Sequence, residues 1–175
     1  MKYLPIENQL FIQNRALFFN KMDGNAIAIF NSNDIMPTNA DGTMPFRQNN
    51  DLFWLSGVDQ EESVLVIFPN HPDENMREVL FLKETNEHIA IWEGAKLTKD
   101  GAFKASGIKT VFWLDELENK LDEMISKCDS IYLNKNIHSR SASDVQTRDD
   151  RFRNMITDKY SNKAIKEVAP IMHKL

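Results

Sequence analysis

The stretch PFRQNNDLFWLSG, residues 45–57, sets a polar run between hydrophobic residues. Residues 47–51 are all polar, and the hydrophobic run LFWL follows them directly. Asparagine side chains accept hydrogen bonds from the free N–H groups of a first helical turn, and glycine is favoured just past a helix end. We therefore predict a short helix that Asn49 or Asn50 caps and Gly57 ends.

Two roles are open for the charged residues of this stretch. In the first, which the residues favour, the Arg47 guanidinium bonds Asp51 or loop carbonyls while Phe53 and Trp54 pack inward. The polar run would then pin the preceding loop, residues 31–45, to the core. In the second, Arg47 and Asp51 face a substrate or a partner. The loop is rich in turn-forming residues, and a loop of this length is often functional.

Composition limits the class of protein. A chain of 175 residues with 42% hydrophobic and 27% charged residues is expected to form one domain with one core. A formal charge of −5 disfavours binding to nucleic acid. The sequence contains no apolar block long enough for a signal peptide or a membrane span, and Cys128 is its only cysteine. These features predict a cytoplasmic location and no disulfides.

The hydrophobic pattern predicts an alternation of strands and helices. Predicted helices cover residues 8–22 and 98–106, and two more begin at Asp115 and Ser143, with Glu118 and Gln146 completing capping boxes. The second of these would bury Val145. Predicted strands are 26–30, 64–68, 79–82, 89–92, 111–114 and 131–133, with 79–82 and 89–92 paired antiparallel. The fold class is therefore α/β, three-layer α/β/α with a mixed, about six-stranded sheet.

A search for catalytic residues gives none. The four histidines, expected at surface or edge positions, lack the spacing of a metal site, and the glycines do not form a phosphate-binding loop. The acidic pairs Glu61–Glu62 and Asp149–Asp150 are adjacent residues, which point apart on a helix, so we expect solvated faces. Cys128 lies on the inner face of a predicted helix, where burial blunts a thiol. Trp92 ends a predicted strand and is expected to pack in the core.

The stretch PFRQNNDLFWLSG, followed by DQEESVLVIF and then IAIWEGAKLT, resembles the amino-terminal domain of Xaa-Pro aminopeptidases. These enzymes, also called aminopeptidase P, are related to prolidase and creatinase, and the similarity runs from NRALFF to the closing APIMHKL. The resemblance implies a mixed six-stranded α/β domain with helices on both faces. It also implies that residues 1–175 are this domain alone, without the catalytic domain of pita-bread fold.

In this family the enzyme removes an amino-terminal residue that precedes proline. The resemblance places the chemistry in the following domain, where two metal ions, commonly manganese, activate a bridging water. Nothing in this sequence matches those metal ligands. We therefore expect no catalytic and no metal-binding residue in this chain, no cofactor of its own, and no activity of this chain by itself.

The resemblance also assigns roles to three residues. Trp92 matches a tryptophan near the proline-binding end of the cleft, and Arg47 and Asp51 match an R-Q-N-x-D motif expected at interdomain or intersubunit contacts. Where relatives often carry a basic residue after the tryptophan, this sequence has Glu93. The partners implied are the C-terminal catalytic domain of the same polypeptide, further copies in a homo-oligomer, and proline-containing peptides.

Two alternatives remain at this point. A free-standing interaction module of the same fold would use residues 31–45 and exposed aromatic side chains to bind a protein. A small hydrolase would use Asp51 with His88 or His138, although the sequence gives no sign of the geometry that acid–base catalysis needs.

Overall fold

Six strands form one mixed sheet with helices on both faces. The computed structural model describes residues 5–140 and 143–175. The strands are β1 (Ala26–Asn31), β2 (Val64–Ile67), β3 (Glu78–Leu82), β4 (Thr110–Trp113), β5 (Ser130–Leu133) and β6 (Ala164–Glu167). The helices are α1 (Asn8–Phe19), α2 (Asn50–Ser56), α3 (Glu87–Glu93), α4 (Lys99–Ser106), α5 (Leu117–Ser126), α6 (Arg148–Lys159) and α7 (Ala169–Met172).

The strand order across the sheet is β4-β3-β2-β1-β5-β6. Strand β2 is antiparallel to both of its neighbours, whereas β1, β5 and β6 run parallel, as do β3 and β4. Antiparallel neighbours need only a short connection, and parallel neighbours need a crossover, which a helix usually supplies. The predicted fold class, a three-layer α/β/α domain with a mixed six-stranded sheet, is confirmed.

Each face of the sheet has its own hydrophobic cluster. Helices α1, α2 and α4 cover one face, where Phe18, Leu52 and Ala102 are fully buried. Helices α5 and α6 cover the other, where Met124 and Ile156 are fully buried. The central strands β1 and β2 are buried along their whole length, which agrees with their apolar runs AIAIF and VLVI.

Residues 89–92 were predicted as a strand, but they lie in helix α3. Asn86 caps this helix, with its side-chain oxygen accepting a hydrogen bond from the Ile89 N–H at 2.9 Å. A run of four apolar residues is compatible with a strand or a helical turn. The Asn86 cap favours the helix. The sixth strand is β6, whose sequence AIKE mixes polar and apolar residues because it lies at the sheet edge.

Both predicted capping boxes are wrong. A 3-10 turn, Leu114–Glu116, leads into α5, so Asp115 does not cap it. Helix α6 begins later than predicted, with Thr147 and Asp150 forming the capping box, and this leaves Val145 60% exposed. Helix α1 ends at Phe19, three residues before the predicted end at residue 22.

Helix α2 begins and ends as the sequence predicts. The Asn49 side chain accepts hydrogen bonds from the N–H groups of Asp51 and Leu52, at 3.0 and 3.3 Å. Gly57 ends the helix with φ +68°, and a Cβ atom there would lie 2.2 Å from the Phe11 ring. Position 57 therefore requires glycine for two reasons: its backbone is left-handed, and α1 approaches it too closely for a side chain.

Arg15 of α1 joins the ends of two other helices. Its side chain is fully buried, and its Nη1 donates to the carbonyl oxygens of Leu55 and Ser106, at 2.8 and 3.0 Å. These carbonyls belong to the last turns of α2 and α4, where the helix dipole favours a cation. Glu78 of β3 balances the charge, with its Oε2 3.0 Å from Arg15 Nε. Arg15 therefore fixes α2 against the sheet.

Candidate functional site

A polar cleft of about 950 Å³ opens at the carboxyl ends of β1 and β5. The chain leaves β1 through α2 on one face of the sheet and leaves β5 through α6 on the other. Such divergence opens a crevice between parallel strands, which is the usual ligand position in α/β sheets. The lining residues include Arg47, Asn50, Asp51, Asn134, Lys135, His138, Asp149 and His173.

The polar run of residues 47–51 is divided between the core and this cleft. Gln48 turns inward, and its Nε2 donates to the carbonyl oxygens of Val58 and Gln60, at 3.0 and 2.8 Å. The Asn33 side chain binds the carbonyl of Arg47 at 2.9 Å. These bonds attach the loop to the core, as predicted for a structural role of the polar run. The side chain that makes the buried contacts is that of Gln48, whereas Arg47 was expected to make them.

The charged side chains of the run face the cleft. Both Arg47 and Asp51 are among its lining residues. Among the described residues, the Arg47 guanidinium forms no ion pair and no hydrogen bond, so its predicted bond to Asp51 is not formed. Phe53 and Trp54, expected to pack inward, are half-buried, with Phe53 edge-to-face against Phe11.

Asp149 carries the most perturbed charge in the cleft. Its two carboxylate oxygens accept from the side-chain amides of Asn31 and Asn49, at 3.2 and 3.4 Å. Burial raises the pKa of Asp149 to about 6, and the charges of Asp150 and Asp51 add to this, while the Asn31 hydrogen bond opposes it. Removal from water destabilises the ionised form of a carboxyl group, which accounts for the direction. Asp149 therefore takes up a proton at a higher pH than an ordinary aspartate.

The pKa of Asp51 is also raised. Burial raises the pKa of Asp51, whereas the side chain of Asn134 and the charge of His173 lower it. Two carboxyl groups with raised pKa values in one cleft are typical of functional sites, although structural networks produce them as well.

The second candidate region is an arm between β3 and α4. We define the arm as residues 83–97, with α3 at its centre. Helix α3 buries none of its residues, and Trp92 and Ile91 are 81% and 73% exposed. The expected core packing of Trp92 is therefore wrong. An exposed tryptophan beside an exposed isoleucine is a feature of contact surfaces.

The described residues contain no group of three His, Cys, Asp or Glu side chains that could hold a metal ion. His138 and His173 line the cleft, His88 lies outside its lining, and His71 is buried, contrary to the expected surface position. Burial raises the pKa of the Cys128 thiol, which lies in the core. Within residues 5–140 and 143–175, no helix is long and apolar enough to cross a membrane.

Sequence reasoning treated the acidic pairs as solvated, and the structure corrects this. Asp150 caps α6 through Thr147, while Asp149 turns into the cleft. Glu61 and Glu62 form ion pairs with Lys96 and Lys83. The capping signature TRDD, residues 147–150, could have separated the roles of Asp149 and Asp150, because it fixes which acid is the third helical residue.

The fold and cleft define a class: a three-layer α/β domain with a polar crevice where its parallel strands diverge. Within that class, the family model described as "Aminopeptidase P, N-terminal domain" matches residues 11–132. The chain belongs to this family.

Known relatives agree with the family and show the extent of the match. The Xaa-Pro aminopeptidase of Escherichia coli is 28% identical over 128 residues, which cover 73% of this chain and 29% of that protein. The Xaa-Pro aminopeptidase of Haemophilus influenzae is 23% identical over 139 residues, covering 79% of this chain and 31% of its own length. The chain thus spans about a third of the length of these relatives.

Solved structures share the fold. A Bacillus anthracis protein assigned as an aminopeptidase P superposes with a TM-score of 0.81 at 22% identity, over 94% of this chain and 39% of that one. Aminopeptidase PepP of Pseudomonas aeruginosa superposes with a TM-score of 0.74 at 21% identity, over 94% of this chain and 36% of that one.

Proposed function

We propose that residues 1–175 act as the non-catalytic amino-terminal domain of a manganese-dependent Xaa-Pro aminopeptidase, located in the cytoplasm. The complete enzyme would remove an amino-terminal residue that precedes proline. The observation that carries the proposal is the family match over residues 11–132, in relatives of which this chain spans about a third. In this role the domain shapes substrate access and takes part in subunit association.

The metal chemistry belongs to a separate catalytic domain in this proposal. Among residues 5–140 and 143–175, no three His, Cys, Asp or Glu side chains converge, so these residues do not fit a two-manganese centre. Two-metal sites need several carboxylate or imidazole ligands around ions about 3.5–4 Å apart. The contribution of the present residues is to bind, orient and limit the substrate.

We assign Trp92 to the substrate side of the enzyme and Arg47 and Asp51 to a contact between domains or subunits. The exposure of Trp92 on a projecting helix supports the first assignment, because such a side chain can reach another surface. The position of Arg47 and Asp51 in the polar cleft, where the Arg47 guanidinium has no partner among the described residues, supports the second. An exposed arginine is well suited to bind carboxylates across an interface.

A peptidase assay tests the proposal. The 175-residue chain is incubated with manganese and an Arg-Pro peptide, beside the complete protein under the same conditions. We expect amino-acid release by the complete protein and none by the chain alone. Robust, manganese-dependent turnover by the chain alone would overturn the assignment.

A second candidate is a free-standing module that binds a protein partner. The observation in its favour is that the loop of residues 31–45 exposes apolar side chains at Ile35, Met36 and Met44, which are 41%, 45% and 52% exposed. The coding sequence after Leu175 separates the two candidates. A stop codon favours the module, and a further domain with Asp, His and Glu ligands favours the peptidase.

The third alternative, a hydrolase built on Asp51, would use His138, because His88 lies outside the lining of the cleft. Replacing Asp51 by Asn is the test. Asp51→Asn without loss of any detected activity would rule out Asp51 as a catalytic base, since removing such a base lowers the rate about 10²–10⁴-fold.

A further inference from the structure

Ion pairs hold the base of the arm to the rest of the fold. Lys83, at the end of β3, places its Nζ 3.1 Å from Glu62 Oε2 and 2.9 Å from Glu93 Oε2. Glu93 is the last residue of α3, so Lys83 ties the far end of that helix back to the start of the arm. Lys83, the first residue of the arm, therefore joins the segment before β2 to the end of α3.

A second lysine repeats the arrangement at the end of the arm. Lys96 pairs with Glu61, and its Nζ is also 3.8 Å from Glu93 Oε2. The Lys96 side chain is only 8% exposed, so this pair is shielded from solvent, whereas the Lys83 side chain is 36% exposed. Salt screens exposed pairs much more than buried ones.

A hydrogen-bonded chain links this base to the stretch of residues 45–57. Gln60 accepts a hydrogen bond from the Leu97 N–H on its side-chain oxygen, at 2.7 Å. The carbonyl of Gln60 in turn accepts from the Gln48 Nε2, at 2.8 Å. Gln60 thus binds both the end of the arm, through Leu97, and the cleft loop, through Gln48.

The backbone at Glu62 carries strain that points to the same network. Glu62 has φ +52°, a left-handed conformation that non-glycine residues seldom adopt. Such a conformation persists where surrounding contacts hold it. The Glu62 side chain contacts Lys83 of the same network. The hydrogen bonds that Lys83 donates to Glu93 and Glu62 raise the pKa of its ammonium group, the one to Glu93 most, so Lys83 remains charged across the physiological range.

We propose that Glu62, Lys83 and Glu93 are positioning residues that hold the arm, and with it Trp92, in a fixed orientation. Helix α3 has no buried residue to fix it by packing, so the ion pairs and the Asn86 cap supply its order. Because the Lys83 pairs are partly exposed, high salt loosens the arm. The consequence for catalysis rests on the proposed function of Trp92, whereas the tether itself does not.

Hydrogen exchange of two arm amides tests the tether. The N–H groups of Ala90 and Gly94 bond the carbonyls of Asn86 and Ala90 within α3. In 50 mM salt we expect Lys83→Gln to speed their exchange about fivefold, because it removes two ion pairs. Lys83→Arg retains the charge and should restore slow exchange.

The control for this measurement is Lys104→Gln, which removes the exposed Lys104–Asp100 pair of α4 and leaves the arm untouched. We expect 1 M salt to speed exchange in the wild type and to leave Lys83→Gln unchanged. Exchange of both amides in Lys83→Gln within twofold of the wild type would overturn the tether.

Kinetics of the complete protein separate the tether from the function of Trp92. If both are right, Lys83→Gln raises the KM for a Xaa-Pro peptide severalfold, changes kcat little, and Lys83→Arg reverses the effect. If exchange accelerates while KM stays constant, the tether holds and the proposed substrate contact of Trp92 fails.

Discussion

Asp149 shows how one position in the cleft changes the chemistry of a common residue. Its pKa lies near 6, above the ordinary value of 3.8, because burial disfavours its charge. Between these two pH values the folded chain keeps a proton that the unfolded chain releases. The contribution of Asp149 to the free energy of unfolding should therefore fall as the pH rises from about 4 to about 6, and then level off.

The change Asp149→Asn tests this at neutral and acidic pH. The amide cannot ionise, so relative to the wild type the variant should gain about 1–2 kcal/mol between pH 4 and pH 7, after allowance for solvent screening. Urea unfolding across this pH range measures the difference. Parallel pH profiles for the two proteins would contradict the raised pKa.

Asp150→Asn is the matched control for this experiment. The hydrogen bond from Thr147 lowers the pKa of Asp150, so its contribution to stability is present above its ordinary pKa and is lost as the pH falls through its lower folded value. Its effect on the pH profile should therefore have the opposite sign to that of Asp149.

Arg15 is the residue on which the position of α2 depends most. Replacing it with Ala leaves Glu78 without a partner and two helix-end carbonyls without a donor. We expect a loss of about 3–5 kcal/mol in the free energy of unfolding, because two buried carbonyls lose their donor and truncation of a buried side chain leaves a cavity. Arg77→Ala, which removes an exposed pair with Glu74, should cost less than about 1 kcal/mol by the same denaturation measurement.

At the scale of elements, the end of α2 gives a test with a matched control. Gly57 and Gly24 both have φ +68°, but a Cβ at Gly57 meets the Phe11 ring while a Cβ at Gly24 meets nothing within 4 Å. Both alanine substitutions should lower the free energy of unfolding by about 1 kcal/mol, because alanine is strained in the left-handed conformation. Gly57→Ala should lower it by about 1–3 kcal/mol more, because the added methyl group overpacks against Phe11. Equal thermal shifts in the two variants would contradict the close α1–α2 contact.

Local signals predicted some elements, such as α2, but misplaced others, such as the starts of α5 and α6. Asn49 and Gly57 define α2 because caps act within a few residues of themselves. The run IAIW was assigned to a strand because a short apolar run suits a strand or a helix, and the Asn86 cap three residues before Ile89 was the local signal that separates them. Strand β6 was missed because an edge strand needs no continuous apolar face.

The cleft could be predicted only in part, for a related reason. Arg47 and Asp51 stood out because an unusual polar run brings them together in sequence. Asp149 and His173 reach the same cleft from distant parts of the chain, through the parallel pairing of β1, β5 and β6. The pairing of these strands is a tertiary property, so the residues next to Asp149 in the sequence do not reveal that it lies in the cleft.

At the scale of the whole molecule, the exposed arm gives a prediction for the complete protein. If Trp92 contacts substrate, Trp92→Ala should raise the KM for a Xaa-Pro peptide about tenfold, through loss of an aromatic contact worth about 1–1.5 kcal/mol. Ile91→Ala is the control, because Ile91 is its equally accessible neighbour on α3. Steady-state kinetics in which the two variants behave alike would contradict a specific role for Trp92.

The two candidate regions lie on one framework. Gln48 fixes the loop at the cleft and, through Gln60, the base of the arm. The domain thus presents a polar cleft and an aromatic arm that are joined by one hydrogen-bonded framework.

Manganese binding by the 175-residue chain is the most direct test of this account. The described residues offer no converging set of three metal ligands. Titration calorimetry with Mn²⁺, followed by elemental analysis after gel filtration, should therefore give no stoichiometric binding. Tight binding of one or two manganese ions by side chains of this chain would contradict the assignment of the chemistry to a separate domain.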